Sequence, residues 1–187
     1  AVAGYEVVFA HGSQFNDAVL AVAPDFLDTM FVITNGLKVE GPNVAAVQVA
    51  DEEQGFLMGA FAALMTETGK VGVIGGEAIP PITKGVDGFA VGAEYANPDV
   101  EVLSVMTGTF EDINKIKEVA LVQIDQGADY IGAIANQGGL GAIEATVERG
   151  VYSIGSGVDQ FDIAPEAVVV SVAKDVSVAY EFAYSNF

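Results

Sequence analysis

Cysteine and tryptophan are absent from this 187-residue chain, histidine occurs once, and lysine and arginine together number 7. Without thiols there is no disulfide, no iron–sulfur cluster and no cysteine nucleophile, and a single imidazole cannot complete a structural zinc centre. Calcium or magnesium on carboxylates stays open. The 7 basic residues stand against 26 acidic ones, a formal net charge of −19. Binding to phosphate backbones or anionic lipid depends on Lys and Arg neutralising phosphate, so this charge argues against nucleic acid and peripheral membrane as partners. Small molecules and proteins remain. Such acidity suits either a surface adapted to high salt, where carboxylate repulsion is screened, or an ordinary acidic protein.

Long apolar runs are also missing. Hydrophobic residues make up 51% of the chain and the mean hydropathy is +0.43, yet the longest candidate run, Phe56 to Met65, is flanked by Asp51, Glu52, Glu53 and Glu67. It is about half of the ~20 residues a bilayer requires and reads as a buried helix of a globular domain. The N-terminus shows neither a basic region nor a cleavage pattern, so any export signal is expected outside this chain. A chain of this length can bury roughly 70% of its unfolded surface and needs no covalent staples.

What is present is an alternation of short β-branched runs with longer stretches of helical period, the pattern of βαβ units and a parallel sheet. Strands are expected at Glu6–Ala10, Met30–Thr34, Asn43–Val49, Val71–Ile74, Val100–Val105, Asp129–Ile134, Val151–Ile154 and Val168–Ser171. Helices are expected at Asn16–Ala23, Glu52–Thr66, Pro81–Tyr95, Ile113–Gln126, Gly141–Arg149 and Val176–Phe187. Asp51 and Gln54 have capping-box spacing, and Leu57, Phe61 and Leu64 fall on one face of the helix that follows. Asp112 is placed to cap the helix from Ile113. Strand starts at 71, 100, 129 and 151 make 71 to 155 a self-consistent doubly wound lobe, whereas residues 1–50 offer too little apolar face for an independent core. We therefore expect an internal portion of a longer chain, the alternative being a whole small domain of unusual economy.

Ligands of open α/β sheets gather at the carboxyl ends of strands, and several loops there hold small polar and aromatic residues. His11 follows the first strand, where a solvated loop histidine is the plainer reading. Gly155-Ser156-Gly157 lacks nucleophile-elbow spacing, so hydrolase chemistry is not expected. Gly75-Gly76 and Asn136-Gln137-Gly138-Gly139-Leu140-Gly141 expose backbone amides but match neither dinucleotide nor phosphate-loop fingerprints, so no cofactor is expected. Phe110, between a strand and its helix, either offers a face to a planar ligand or packs onto its own helix as a hydrophobic staple. Lys174 lies just past the last strand, either in a ligand contact or in a surface ion pair with Asp175 or a neighbour.

Gly4-Tyr5-Glu6-Val7-Val8, Pro42-Asn43-Val44-Ala45, Glu53-Gln54-Gly55-Phe56-Leu57-Met58-Gly59, Leu64 through Gly76, Tyr95-Ala96-Asn97-Pro98-Asp99, Asp125-Gln126-Gly127-Ala128-Asp129 and Gly139 through Ala145 occur in one order. In that combination the chain resembles the basic membrane protein family of ABC-importer substrate-binding lipoproteins, including its purine nucleoside receptors. The resemblance implies a type I periplasmic-binding-protein fold, two doubly wound lobes with the ligand held in the cleft between them. Residues 1–50 would be the latter part of the first lobe, 51–165 the second lobe and 166–187 the crossover back. It implies ligand capture without a reaction, with ABC permease subunits as partners, and an extracytoplasmic location held to the membrane through a lipid anchor outside this chain. Phe110 matches the aromatic that stacks on the base and Lys174 the lysine that reaches the ligand. Gly12, Ser13 and Phe15 fall on the first-lobe loop, and Asn136 to Gly139, including Gly138, on the Gly-rich loop of the second.

One position departs from the family pattern. Where the family has Gly-Val-Asp-Ser-Asp-Gln, with the first Asp on the ribose hydroxyls, this chain has Gly155-Ser156-Gly157-Val158-Asp159-Gln160. Gly157 replaces the carboxylate, and hydrogen bonds to a charged group are worth ~1.5–3 kcal/mol, so nucleoside affinity should fall tenfold to a hundredfold unless Asp159 or a water substitutes. The competing readings are a ligand-sensing module of a regulator, which would need an adjoining basic DNA-binding domain, and an assembly role for a truncated fold with open sheet edges.

Overall fold

The computed structural model describes residues 1–186 as two compact units, one formed by Ala1–Val49 with the segment from Asp175, the other by Ala50–Lys174. The expected helix end at Phe187 lies outside the described residues.

In the first unit three parallel strands, β1 (Val7–His11), β2 (Met30–Thr34) and β3 (Val44–Val47), run in spatial order β1-β2-β3. The central strand, Met-Phe-Val-Ile-Thr, is almost wholly buried, as a strand covered on both faces should be. Helix α1 (Asn16–Val22) contributes Val19 to a small core with Ala23, Phe31, Ile33 and Val44. Asn43, expected to open β3, instead directs its buried side-chain amide at the carbonyls of Ala23, Phe26 and Thr29. These bonds satisfy loop carbonyls that would otherwise be stranded beside the core. The terminal helix (Val176–Asn186) belongs to the same unit, with Ala183 buried.

The second unit is a five-stranded parallel sheet of β4 (Lys70–Gly75), β5 (Glu101–Met106), β6 (Tyr130–Ile134), β7 (Tyr152–Gly157) and β8 (Val168–Ala173), ordered β5-β4-β6-β7-β8. Helices α2 (Asp51–Met65) and α3 (Pro80–Ala96) cover one face, where Met58, Ala62, Val86 and Phe89 pack on Val71 and Val73. Helices α4 (Ile113–Asp125) and α5 (Gly139–Arg149) cover the other, where Ile116, Ala120, Ala142 and Ala145 meet Ile74 and Ile131. The terminal helix is α6. Asp112 caps α4 as expected, its carboxylate accepting from the Lys115 amide at 3.0 Å. Because β8 pairs with β7, the chain changes unit after Lys174, whereas the crossover was expected to begin at 166.

The start of α2 corrects two expectations. Asp51 and Gln54 do not form a capping box: Ala50 is the N-cap residue and no side chain caps it. Asp51 is buried against Lys174, and Gln54 donates to Val172 O at 2.9 Å and Ser156 Oγ at 3.1 Å. Nor do Leu57 and Leu64 form the buried face with Phe61; they are 57% and 69% exposed, so the Phe56–Met65 run is only partly buried. The reason is close helix packing: a Cβ on Gly55 or Gly59 would strike the carbonyls of Gly85 or Phe89, and one on Gly88 or Gly92 those of Glu52 or Phe56. Glycines therefore occupy the side of α2 that meets α3, Met58 turns to the sheet, and Leu57 and Leu64 are left outside.

Candidate functional site

The strand order of the second unit reverses direction at β4: the next strand, β5, is laid on one side of it, and β6 and all later strands on the other. At such a switch point the loops after the two strands leave to opposite faces and open a crevice at their carboxyl ends. Gly75 and Gly76 end β4 there, and Asn136 to Gly138 follow β6. The loop after neighbouring β5 is stapled to β4. The Thr107 amide and hydroxyl donate to Gly75 O at 2.9 and 3.0 Å, and the Gly108 amide donates to Gly76 O at 2.9 Å. This brings Phe110 across Gly76, where its ring occupies the space a Cβ would take. The Gly138 amide donates to the Phe110 carbonyl at 2.8 Å.

Phe110 and the Asn136–Gly138 turn are thus brought together. The ring is half-buried, Asn136 is exposed, and Gly138 is buried with Ile116 against it. Asn136 holds φ +47, a left-handed conformation uncommon outside Gly, Asn and Asp. Residues in sparsely populated conformations cluster at functional sites because the surrounding structure must hold them there.

A second group lies at the ends of β7 and β8. The Lys174 amide donates to Gly157 O at 2.9 Å, so these two predicted residues are adjacent. Gly157 has φ +83 with open space where a side chain would project. Asp159 is exposed, and one carboxylate oxygen accepts from the Phe161 amide at 3.0 Å in an Asx turn. Lys174 makes neither of the expected surface pairs: its Nζ lies 2.6 Å from Asp51 Oδ1, and Asp51 is 5% exposed. Asp175 instead receives bonds from the Ser177 amide and hydroxyl, which hold its carboxyl below the usual range.

Beneath this group runs a polar network that the sequence did not announce. Gln160 Oε1 accepts from the Ser156 amide at 2.9 Å, the Gln160 amide donates to Ser171 Oγ at 3.0 Å, and Gln54 reaches Ser156 and Val172. Asp51, Gln54, Gln160 and Ser171 are the residues sequence reasoning missed. The one available signal was three polar residues, Asp51, Gln54 and Lys174, at the edges of apolar segments.

In the first unit, Ser13 and Phe15 form a single 3₁₀ turn after β1, with Phe15 46% exposed. The Gly12 amide is bound to Thr34 O at 3.2 Å, anchoring the turn to the neighbouring strand. His11 ends β1 rather than standing in a loop, and its Nδ1 pairs with the Tyr180 hydroxyl of α6 at 2.5 Å. Among the described residues no cluster of three or more His, Asp and Glu could hold a metal ion. No described helix is long and apolar enough to cross a membrane.

Comparisons with known proteins agree with this architecture. The chain is 33% identical over 184 residues to the transcriptional activator protein Med of Bacillus subtilis, covering 98% of this chain and 57% of that protein. It is 32% identical over 190 residues to basic membrane protein A of Borreliella afzelii, covering 99% and 58%. A purine-binding protein of Brucella abortus is 29% identical over 173 residues, covering 92% and 49%. Among solved structures, a solute-binding protein of an Aeropyrum pernix ABC transporter superposes with a TM-score of 0.88 at 27% identity, covering 99% of this chain and 55% of that one. The chain therefore spans about half the length of the relatives it matches. The family model for PnrA-like ABC transporter substrate-binding proteins, which are binding components rather than enzymes, matches residues 1–187, and the chain belongs to that family.

Proposed function

We propose that the protein is the extracytoplasmic substrate-binding component of an ABC importer and that its ligand is a purine nucleoside. The observation that carries this reading is the Phe110 ring laid over Gly76 at the β4/β6 switch point, beside the exposed Asn136 turn. A half-exposed aromatic face among small polar groups suits a planar, neutral heterocycle, and stacking on such a face is worth ~1–3 kcal/mol. Gly138, Gly157, Asp159 and Lys174 are proposed as further contacts of the second unit, and Ser13 and Phe15 as contacts from the first. The purine-binding relative from Brucella abortus supports the same ligand class. The ABC permease subunits are the proposed partners, and attachment to the membrane is proposed through a lipid anchor outside these residues.

Capture needs no catalytic group. A ligand that binds one conformation better than another shifts the population toward it by its differential affinity, and a permease can read that conformation. The test is a thermal-shift and calorimetric panel of nucleosides, free bases and sugars on the full natural protein. A nucleoside at 100 times its Kd should add ~2.7 kcal/mol of stability. Absence of any shift across the nucleosides overturns the ligand assignment.

A further inference from the structure

Helix α2 is apolar on two sides. Its inner side buries Gly55, Met58, Gly59, Ala62 and Ala63, while Leu57 and Leu64 point to solvent. On α3, Val91 and Tyr95 are likewise 58% and 79% exposed. A helix that is apolar all round is normally covered all round. The glycine contacts that draw α2 and α3 together leave an open groove of about 610 Å³ along their outer faces. Gly88, Phe56, Leu57 and Val91 line its apolar part, and Glu52, Glu53, Asp87 and Lys84 its edge. Tyr95 packs against Phe56 with ring centroids 5.6 Å apart.

The charge at this edge restricts what can lie there. None of the ion pairs among the described residues involves Glu52, Glu53, Asp87 or Lys84. Three uncompensated carboxylates against one ammonium would repel anionic lipid. A second copy would bring the same acidic edge against itself. A cationic partner is favoured on both counts.

We propose that the α2/α3 groove is a docking site for a cationic amphipathic helix of a partner protein. Apolar side chains at i, i+3 and i+4 of that helix rest on Phe56, Leu57 and Val91, and its Lys and Arg residues face Glu52, Glu53 and Asp87. From Lys84 to Val91 the groove follows about two turns of α3, ~10 Å, enough to seat two turns of a partner helix. None of the residues lining this groove is among the proposed ligand contacts, and the proposal does not depend on the identity of the ligand.

The experiment titrates the full natural protein into a fluorescein-labelled amphipathic Leu/Lys helical peptide and reads anisotropy. Leu57→Glu and Val91→Glu lie on exposed positions and should keep the fold, checked by thermal melting; Val147→Glu on α5 makes the same charge change elsewhere. Tenfold or greater weakening by both groove variants, with Val147→Glu unchanged, is the expected result. Asp87→Asn should weaken binding and flatten its salt dependence. Equal weakening by all three Glu variants would mean attraction to net charge alone and overturn the proposal. So would sedimentation showing a wild-type dimer that Leu57→Glu dissociates, which would give the face to a second copy.

Discussion

Lys174 Nζ and Asp51 Oδ1 stand 2.6 Å apart, joining the residue after β8 to the first turn of α2, with Asp51 5% and Lys174 26% exposed. Both residues lie beside the points where the chain passes from one unit to the other, after Val49 and after Lys174. A pair this buried resists removal of one partner more than removal of both, because the remaining buried group keeps its desolvation cost without its counter-ion. Lys174→Met should therefore destabilise the protein by about 2–4 kcal/mol, and Asp51→Leu combined with Lys174→Met should recover much of that loss. Denaturant unfolding of the two single variants and the double variant checks this; additive losses would mean the pair is not coupled.

The contact between α2 and α3 gives a second expectation. At Gly59 a methyl group would fall on the Phe89 carbonyl, and backbone cannot give way as a flexible side chain can. Gly59→Ala should cost about 1–3 kcal/mol through overpacking, despite alanine's better helix propensity. A melting temperature equal to or above wild type would show that the helices can separate without loss.

Among the described residues, sequence periodicity located every strand and α-helix, though not the 3₁₀ turns, to within a few residues because the sheets are parallel: their strands are short, mostly buried runs, and several helices are bounded by Asp112, Gly127, Gly150 and the Asn97-Pro98 step. What it missed depends on contacts distant in sequence. Leu57 and Leu64 look like a core face until Gly55 and Gly59 are set against α3, which no local pattern of α2 reveals. Asp51 and Gln54 fit a local cap equally well, and only the arrival of β8, more than a hundred residues later, draws them to Lys174 and Val172. The loops carrying Phe110 and Asn136 were legible as strand ends, but the switch point that pairs them is a property of strand order.

Phe110→Ala removes the ring from above Gly76 while leaving the Phe110 carbonyl free to accept from Gly138. Loss of ~1–3 kcal/mol of stacking corresponds to roughly fivefold to hundredfold weaker nucleoside binding. Because the ring is only half-buried, the melting temperature of the free protein should move little. Calorimetric titration separates the two readouts, and wild-type affinity in the variant would leave Phe110 as packing alone.

The charge of −19 predicts a salt response. Self-repulsion of surface carboxylates opposes the compact state, and raising salt from ~0.1 M to ~1 M shortens the screening length from ~10 Å to ~3 Å. Melting temperature should rise over that range in NaCl and in KCl alike. A flat response would show that the carboxylates are spaced too widely to destabilise the fold and would argue against adaptation to high salt.

Gly157 offers the sharpest test of the ligand assignment. Its backbone is left-handed, at φ +83, and nothing lies within 4 Å of the position a Cβ would take. Space is therefore not what excludes a side chain there; conformation is, at ~1–2 kcal/mol for an ordinary L-residue, with Asp and Asn the best tolerated. Gly157→Asp should lower folding stability by about that amount while placing a carboxylate beside Lys174, whose amide already binds the Gly157 carbonyl. If this position faces a ribose, the added charge-assisted hydrogen bonds, ~1.5–3 kcal/mol each, should tighten nucleoside binding tenfold or more while leaving free-base binding unchanged. Gly157→Asn carries the same backbone cost without the charge and should gain less. Equal affinity of wild type and Gly157→Asp for every nucleoside would place the sugar elsewhere.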